Sequence, residues 1–108
     1  MNDLVKLNSG KLTVNSKQVA DAFGKTHRHV LRDIQDLLKK SGDFGAPNFG
    51  LSSYKSLQNK ELPCYEITRD GFSLLAMGFT GEKAIEWKIK YLTAFNEMEK
   101  KLNDPEFL

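Results

Sequence analysis

One cysteine, three prolines and two histidines are all that the 108 residues hold of these types. Each scarcity removes a class of protein. A lone thiol, Cys64, cannot close an internal disulfide, so a reducing cytoplasm is the default compartment. His27 and His29 stand two apart in a helical stretch and project about 200° apart, so they cannot share a metal ion. His29 with Asp33 would supply two ligands, which is too few. No phosphate-loop or dinucleotide fingerprint occurs, and nothing brings a histidine to the thiol. The expectation is no enzyme, no metal and no cofactor. No apolar run approaches the roughly 18 residues of a membrane span, and the start of the chain lacks a basic segment followed by an apolar one.

What is present is the composition of one globular domain: 40% apolar and 28% charged residues, with a net charge of +2. The charge is uneven. Residues 1–40 hold eight Lys and Arg against four Asp, a balance of +4, and the remainder sums to −2. A basic first third suggests one face for an anionic partner.

Turn and cap signals divide the chain. "LVKLN" and "KLTV" flank Ser9-Gly10 and read as a hairpin. "NSKQVADAFG" reads as a short helix, capped by Asn15 or Ser16 and stopped at Gly24. Thr26 caps a second helix to about Lys40. "DFGAPNFG" reads as a connector. "LSSYKSL" and "LPCYEIT" form a second hairpin with a polar tip. Thr68 caps a third helix, and Thr80 marks the start of a long one, from about Gly81 to Leu102. Helices folded against small antiparallel pairs make an α+β domain. Residues 1–80 are expected to form the binding part. Residues 81–108 should form a C-terminal helix continuous with it.

The stretch "SKQVADAFGKTHRHVLRDI" resembles a helix-turn-helix, whose second helix enters the DNA major groove. Ala20 is the small residue at the helix crossing, Gly24 opens the turn, and Val19, Phe23 and Val30 are buried positions. Lys25 and Asp33 depart from the pattern, and Ile34 takes the buried role of the second. Val30, Leu31, Leu37 and Leu38 make one apolar stripe centred on Ile34. Lys25, Arg28, His29, Arg32, Asp36 and Lys39 lie opposite, while His27 projects near the apolar side as a packed residue. Arginine and lysine neutralise phosphates, and arginine also reads guanine. Lys25, Thr26, Arg28, His29, Arg32 and Lys39 are therefore the expected contacts to double-stranded DNA.

The tip "SSYKSLQNKEL" adds Tyr54, Lys55, Asn59 and Lys60, groups suited to a DNA backbone, on a hairpin placed like the wing of winged-helix proteins. The long helix carries two stripes. Ile85, Ile89, Leu92 and Phe95 form one. Ala84, Trp87, Tyr91, Ala94 and Met98 form another at 3-4-3-4 spacing, the seam spacing of paired helices. That second stripe is the expected homodimer interface, which would present two reading helices about one DNA turn, ~34 Å, apart. The rival reading is a protein-interaction module that recruits another protein through this helix.

From "VNSKQVADAFGKTHRHVLRDI" to "FNEME" the chain resembles the phage regulatory protein Rha family. The most specific block is "YEITRDGFSLLAMGFTGEKAIEWKIKYLTAFNEME". The resemblance implies a phage- or prophage-encoded DNA-binding regulator, linked to phage growth in hosts lacking integration host factor. It also implies that members often carry a further C-terminal domain. The fold expected overall is a winged helix-turn-helix-like α+β domain with two small β-hairpins and a long C-terminal helix.

Overall fold

The computed structural model describes residues 4–8 and 10–104. Ser9 of the expected first turn lies outside them. The order is β1 (Lys6–Asn8), β2 (Lys11–Asn15), α1 (Ser16–Phe23), α2 (His27–Lys40), a 3-10 turn (Gly42–Phe44), α3 (Gly45–Asn48), β3 (Phe49–Lys55), β4 (Glu61–Ile67), α4 (Arg69–Ala76) and α5 (Glu82–Leu102). The described residues form an α+β fold, with one small antiparallel sheet and five α-helices.

The two hairpins are not separate. They join in one sheet of order β1-β2-β4-β3, through Val14↔Ile67 and Asn15↔Glu66. The physical reason is visible at the join. Val14 and Ile67 are fully buried. The Glu66 carboxylate accepts from Thr13 Oγ1 at 3.0 Å, and from the Asn8 and Asn15 amides at 3.4 Å each. A carboxylate half-taken from water on β4 keeps its hydrogen bonds by gathering donors from the facing β1–β2 hairpin.

In the β3–β4 hairpin, Ser56 N–H donates to the Lys60 carbonyl and Thr68 N–H to that of Asn48. With the unbroken register from Phe49↔Ile67 to Lys55↔Glu61, the even-numbered residues of β3 therefore bond inward to β4. Pro63, opposite Ser53, falls where a strand N–H would point away from β3, so its missing donor costs the pair nothing.

The expected connector before β3 contains a short helix instead. Asn48, at its end, organises the approach of α4. It accepts from Thr68 through its side-chain oxygen and through its backbone carbonyl at 3.1 Å, and its amide donates to the Phe44 carbonyl at 2.8 Å. Thr68 caps α4 by accepting from Gly71 N–H at 3.2 Å. A Cβ on Gly71 would stand 2.5 Å from the Asn48 carbonyl oxygen, so this glycine is required by close approach. A Cβ on Gly78 would meet nothing nearer than 3.7 Å. Thr80 does not cap α5. Its N-cap is Gly81, at φ 99°, and no side chain caps it.

The core is aromatic where α1, α4 and α5 meet. Phe23 lies 4.7 Å from Phe79, Phe72 4.9 Å from Tyr91, and Phe72 6.3 Å from Phe95, centroid to centroid. This burial corrects the expected seam of α5. Ala84, Tyr91 and Ala94 are buried in the domain's own core, and Trp87 and Met98 pack against it. The stripe is used inside the fold, because α1 and α4 are too short to enclose the core without it. What faces outward is part of the other stripe, Ile85 and Ile89, at 58% and 60% exposure.

Candidate nucleic-acid interface

The basic surface rests on the α1–α2 pair, and local chemistry sets that pair. Asn15 caps α1 by accepting from Lys17 N–H at 2.8 Å. Gly24 ends it in the left-handed region at φ 68°, and Lys25 N–H returns to the Ala20 carbonyl at 2.9 Å. Two residues later Thr26 caps α2, its hydroxyl accepting from His29 N–H at 3.1 Å. Ala20, Val19, Val30 and Ile34 are fully buried at the crossing. Ile34, rather than residue 33, is the buried anchor. Phe23 is half-buried.

On the opposite side of α2, Arg28 and Arg32 are exposed and one turn apart. Among the described residues, neither guanidinium has a hydrogen bond or an ion pair. Lys39 is likewise exposed and unpaired among them. The acidic residues of this helix are taken up locally: Asp33 faces His29 Nε2 at 3.4 Å, and Asp36 pairs with Lys40 at 2.9 Å. These exposed i,i+4 pairs are worth only tenths of a kcal/mol. They nonetheless draw the two aspartates toward the His29 ring and the Lys40 ammonium on their own helix.

Lys25 does not stand with the arginines. Its ammonium lies 4.9 Å from the centroid of the Phe79 ring, a cation–π contact directed toward the α4–α5 connection. Thr26 is engaged as the cap. His27 packs inward. Its Nε2 lies 2.8 Å from Ser16 Oγ, and its ring meets Tyr54 edge-on at 5.6 Å. Burial first, then the Lys17 ammonium, hold its pKa below the ordinary value, against a small opposing pull from Asp21. Ser16 is fully buried and also accepts from Tyr65 N–H at 2.9 Å. One hydroxyl thus ties the starts of α1 and α2 to β4, while Tyr54 ties α2 to β3.

These contacts bring the β3–β4 hairpin beside the N-terminal end of α2. At its tip, Ser56 Oγ accepts from Gln58 N–H and Lys60 N–H at 3.2 Å each. Asn59 adopts φ 61°, a conformation that asparagine tolerates well. Lys55, Asn59 and Lys60 are exposed. Tyr54 is half-buried against His27. Two lysines escaped sequence reasoning. Lys17 lines the groove between α1 and the hairpin tip, with Tyr54, Lys55 and Ser56. Lys83, on α5, places its ammonium 3.8 Å from where a Cβ on Gly24 would stand. Both depend on long-range packing that no local pattern announces.

Cys64 is fully buried. Burial pushes its thiol pKa up, partly opposed by a hydrogen bond from Asn15, which makes it a packed strand residue. No group of three or more metal-ligating side chains gathers among the described residues. No helix among them is long and apolar enough to cross a membrane.

The comparisons with known proteins agree in one direction. An uncharacterized protein of Haemophilus influenzae is 36% identical over 94 residues, covering 85% of this chain and 54% of that protein. The "SPbeta prophage-derived putative antirepressor protein YoqD" of Bacillus subtilis is 33% identical over 97 residues, covering 87% of this chain and 39% of its own length. An uncharacterized 22.8 kDa protein of Salmonella phage P22 is 35% identical over 102 residues, covering 92% of this chain and 50% of that protein. The chain therefore spans about half the length of the curated relatives it matches, or less. No solved structure matches. The family model of the phage regulatory protein Rha matches residues 14–100, from the middle of β2 to the last turn of α5. Nearly all the described fold lies within that match, and the chain belongs to the phage regulatory protein Rha family.

Proposed function

We propose that this chain acts as a phage or prophage regulator by binding double-stranded DNA, with α1–α2 as a helix-turn-helix, α2 as its reading helix and the β3–β4 hairpin as a flanking wing. The observation that carries this reading is the pair Arg28 and Arg32. They are exposed, free of partners among the described residues, and mounted on a helix whose opposite face is anchored by Val30 and Ile34. Two guanidiniums one turn apart can each meet a phosphate or the acceptor edge of a guanine. Lys39 extends the stripe, and Lys55, Asn59 and Lys60 add backbone contacts from the wing. Lys25 supports the surface from its flank, through Phe79, rather than reading bases. His29, turned toward Asp33, contributes one donor at the edge of the stripe. The site of action is the host cytoplasm, at the nucleoid.

The test is DNA affinity as a function of salt. Each phosphate contact contributes about 0.9 to the slope of log affinity against log salt. If both arginines touch phosphates, Arg28→Ala with Arg32→Ala lowers that slope by about 2, with circular dichroism unchanged. Unaltered binding by the folded double variant would overturn the reading.

A second reading has its own support. Ile85 and Ile89 leave apolar surface on α5, and the Bacillus relative carries the name of an antirepressor. On this reading the chain meets a regulatory protein of host or phage through α5. Ile85→Lys with Ile89→Lys would abolish that contact and leave DNA affinity intact.

A further inference from the structure

We infer that the outer edge of β3 is a self-pairing surface, and that two copies of this chain join there across a two-fold axis through Ser53, fusing their sheets. The inference does not rest on DNA binding. It begins from the hydrogen-bond parity of the hairpin. Since residues 50, 52 and 54 bond inward to β4, the N–H and C=O groups of residues 49, 51, 53 and 55 point away from it. β3 ends the sheet. Among the described residues nothing pairs with that edge except at Phe49, whose N–H goes to the Gly45 carbonyl.

Edge strands are normally blunted by shortness, charge, proline or a bulge. The other edge, β1, is three residues long and begins at Lys6. Asn8, at its end, reaches the Glu66 carboxylate. β3 is neither short, nor broken by proline, nor bulged. It runs seven residues in unbroken register, and its only charge is at its last residue, Lys55. Leu51, near its middle, is 73% exposed. An unprotected edge with an apolar side chain is a template for another strand.

The occupant that fits is a second copy in antiparallel register. With the dyad at Ser53, each Ser53 faces its mate, and each Leu51 faces Lys55 of the other copy. Both outward groups of residues 51, 53 and 55 are then used, giving two hydrogen bonds for each of three residue pairs. Moving the dyad to Ser52 would call on the Phe49 N–H, which α3 already holds. The chosen register also keeps like charges apart, since each Lys55 stands across from a leucine. Leu57, fully exposed beyond the strand, is carried toward the start of β3 in the second copy. The α5 surface offers less to a second copy. Its outward stripe is two isoleucines followed by the polar Thr93 and Asn96.

The experiment uses the whole chain without DNA. Sedimentation equilibrium should give a dimer for the wild type. Ser53→Lys, which sets two ammoniums face to face, should give a monomer with unchanged circular dichroism. Ser53→Cys should cross-link to itself on mild oxidation, because bonded residue pairs hold their Cα atoms about 5.5 Å apart, within disulfide reach. Leu51→Cys should not, because its mate is Lys55, and the buried Cys64 gives little background. A monomeric wild type, a Ser53→Lys variant that stays dimeric, or equal cross-linking from both cysteine positions would overturn the inference. The cysteine pair decides the matter even if Ser53→Lys fails to fold.

Discussion

Replacing Gly71 by alanine sets two effects against each other, and the structure says which wins. An alanine in a helix is worth at most about 1 kcal/mol over glycine, and less in the first turn where Gly71 sits. Its Cβ would stand 2.5 Å from the Asn48 carbonyl oxygen and 3.0 Å from Ile67 Cγ2. Ordinary contact begins near 3.4 Å, so α4 would have to retreat from α3 by about 0.9 Å. The obstacle is backbone and cannot swing away. Overpacking of this kind costs about 1–3 kcal/mol. The retreat also strains the Thr68 hydrogen bonds to Asn48, each worth about 1 kcal/mol. The net expectation is a loss of roughly 2–3 kcal/mol after the helix gain. With a urea m-value of roughly 1.5 kcal/mol/M, the midpoint should fall by about 1.3–2 M at constant m. Gly78→Ala, where a Cβ meets nothing nearer than 3.7 Å, is the control and should stay within about 0.5 kcal/mol of wild type. A Gly71→Ala midpoint at or above that of wild type would refute the close-approach argument.

Two further outcomes follow from buried polar groups. The Tyr91 ring is fully buried and its hydroxyl has no hydrogen-bond partner among the described residues. Tyr91→Phe should therefore leave stability unchanged or raise it by up to about 1 kcal/mol, read as a thermal midpoint several degrees higher, and a destabilised variant would reveal a partner for that hydroxyl. His27 has a folded pKa below its ordinary 6.5, so the folded state binds fewer protons than the unfolded one. Its contribution to stability is full above pH 6.5 and is lost as pH falls from there through the folded value. Urea midpoints of the wild type should drop more steeply between pH 7 and 5 than those of His27→Gln, and parallel profiles would show that the imidazole is not coupled to folding.

The helix pair was legible in the sequence because its signals are local. Asn15, Gly24 and Thr26 each act on backbone within three or five residues, and the spacing of Val30 and Ile34 marks the anchored face. Arg28 and Arg32 fall on the outer face by the same arithmetic. What could not be read depends on contacts across the chain. Lys25 has the same helical phase as exposed neighbours, yet Phe79, more than fifty positions away, draws its ammonium aside. The heptad-like spacing of Ala84, Trp87, Tyr91, Ala94 and Met98 fits a partner helix and a home core equally well. Only the shortness of α1 and α4 decides for the core. The joining of the hairpins hinges on Glu66, whose donors come from residues up to 58 positions away, and α3 is too brief for any periodicity to register.

The aromatic meeting of Phe23, Phe72, Tyr91 and Phe95 has a bearing on portability. Phe23 closes the first helix of the basic pair, while Tyr91 and Phe95 belong to the last helix of the chain. The pair is seated on residues encoded seventy positions downstream, so it cannot be lifted out and grafted elsewhere as a free-standing cassette. An insertion or frameshift that spared Arg28, Arg32 and Lys39 but removed α5 would still leave the arginines without a platform.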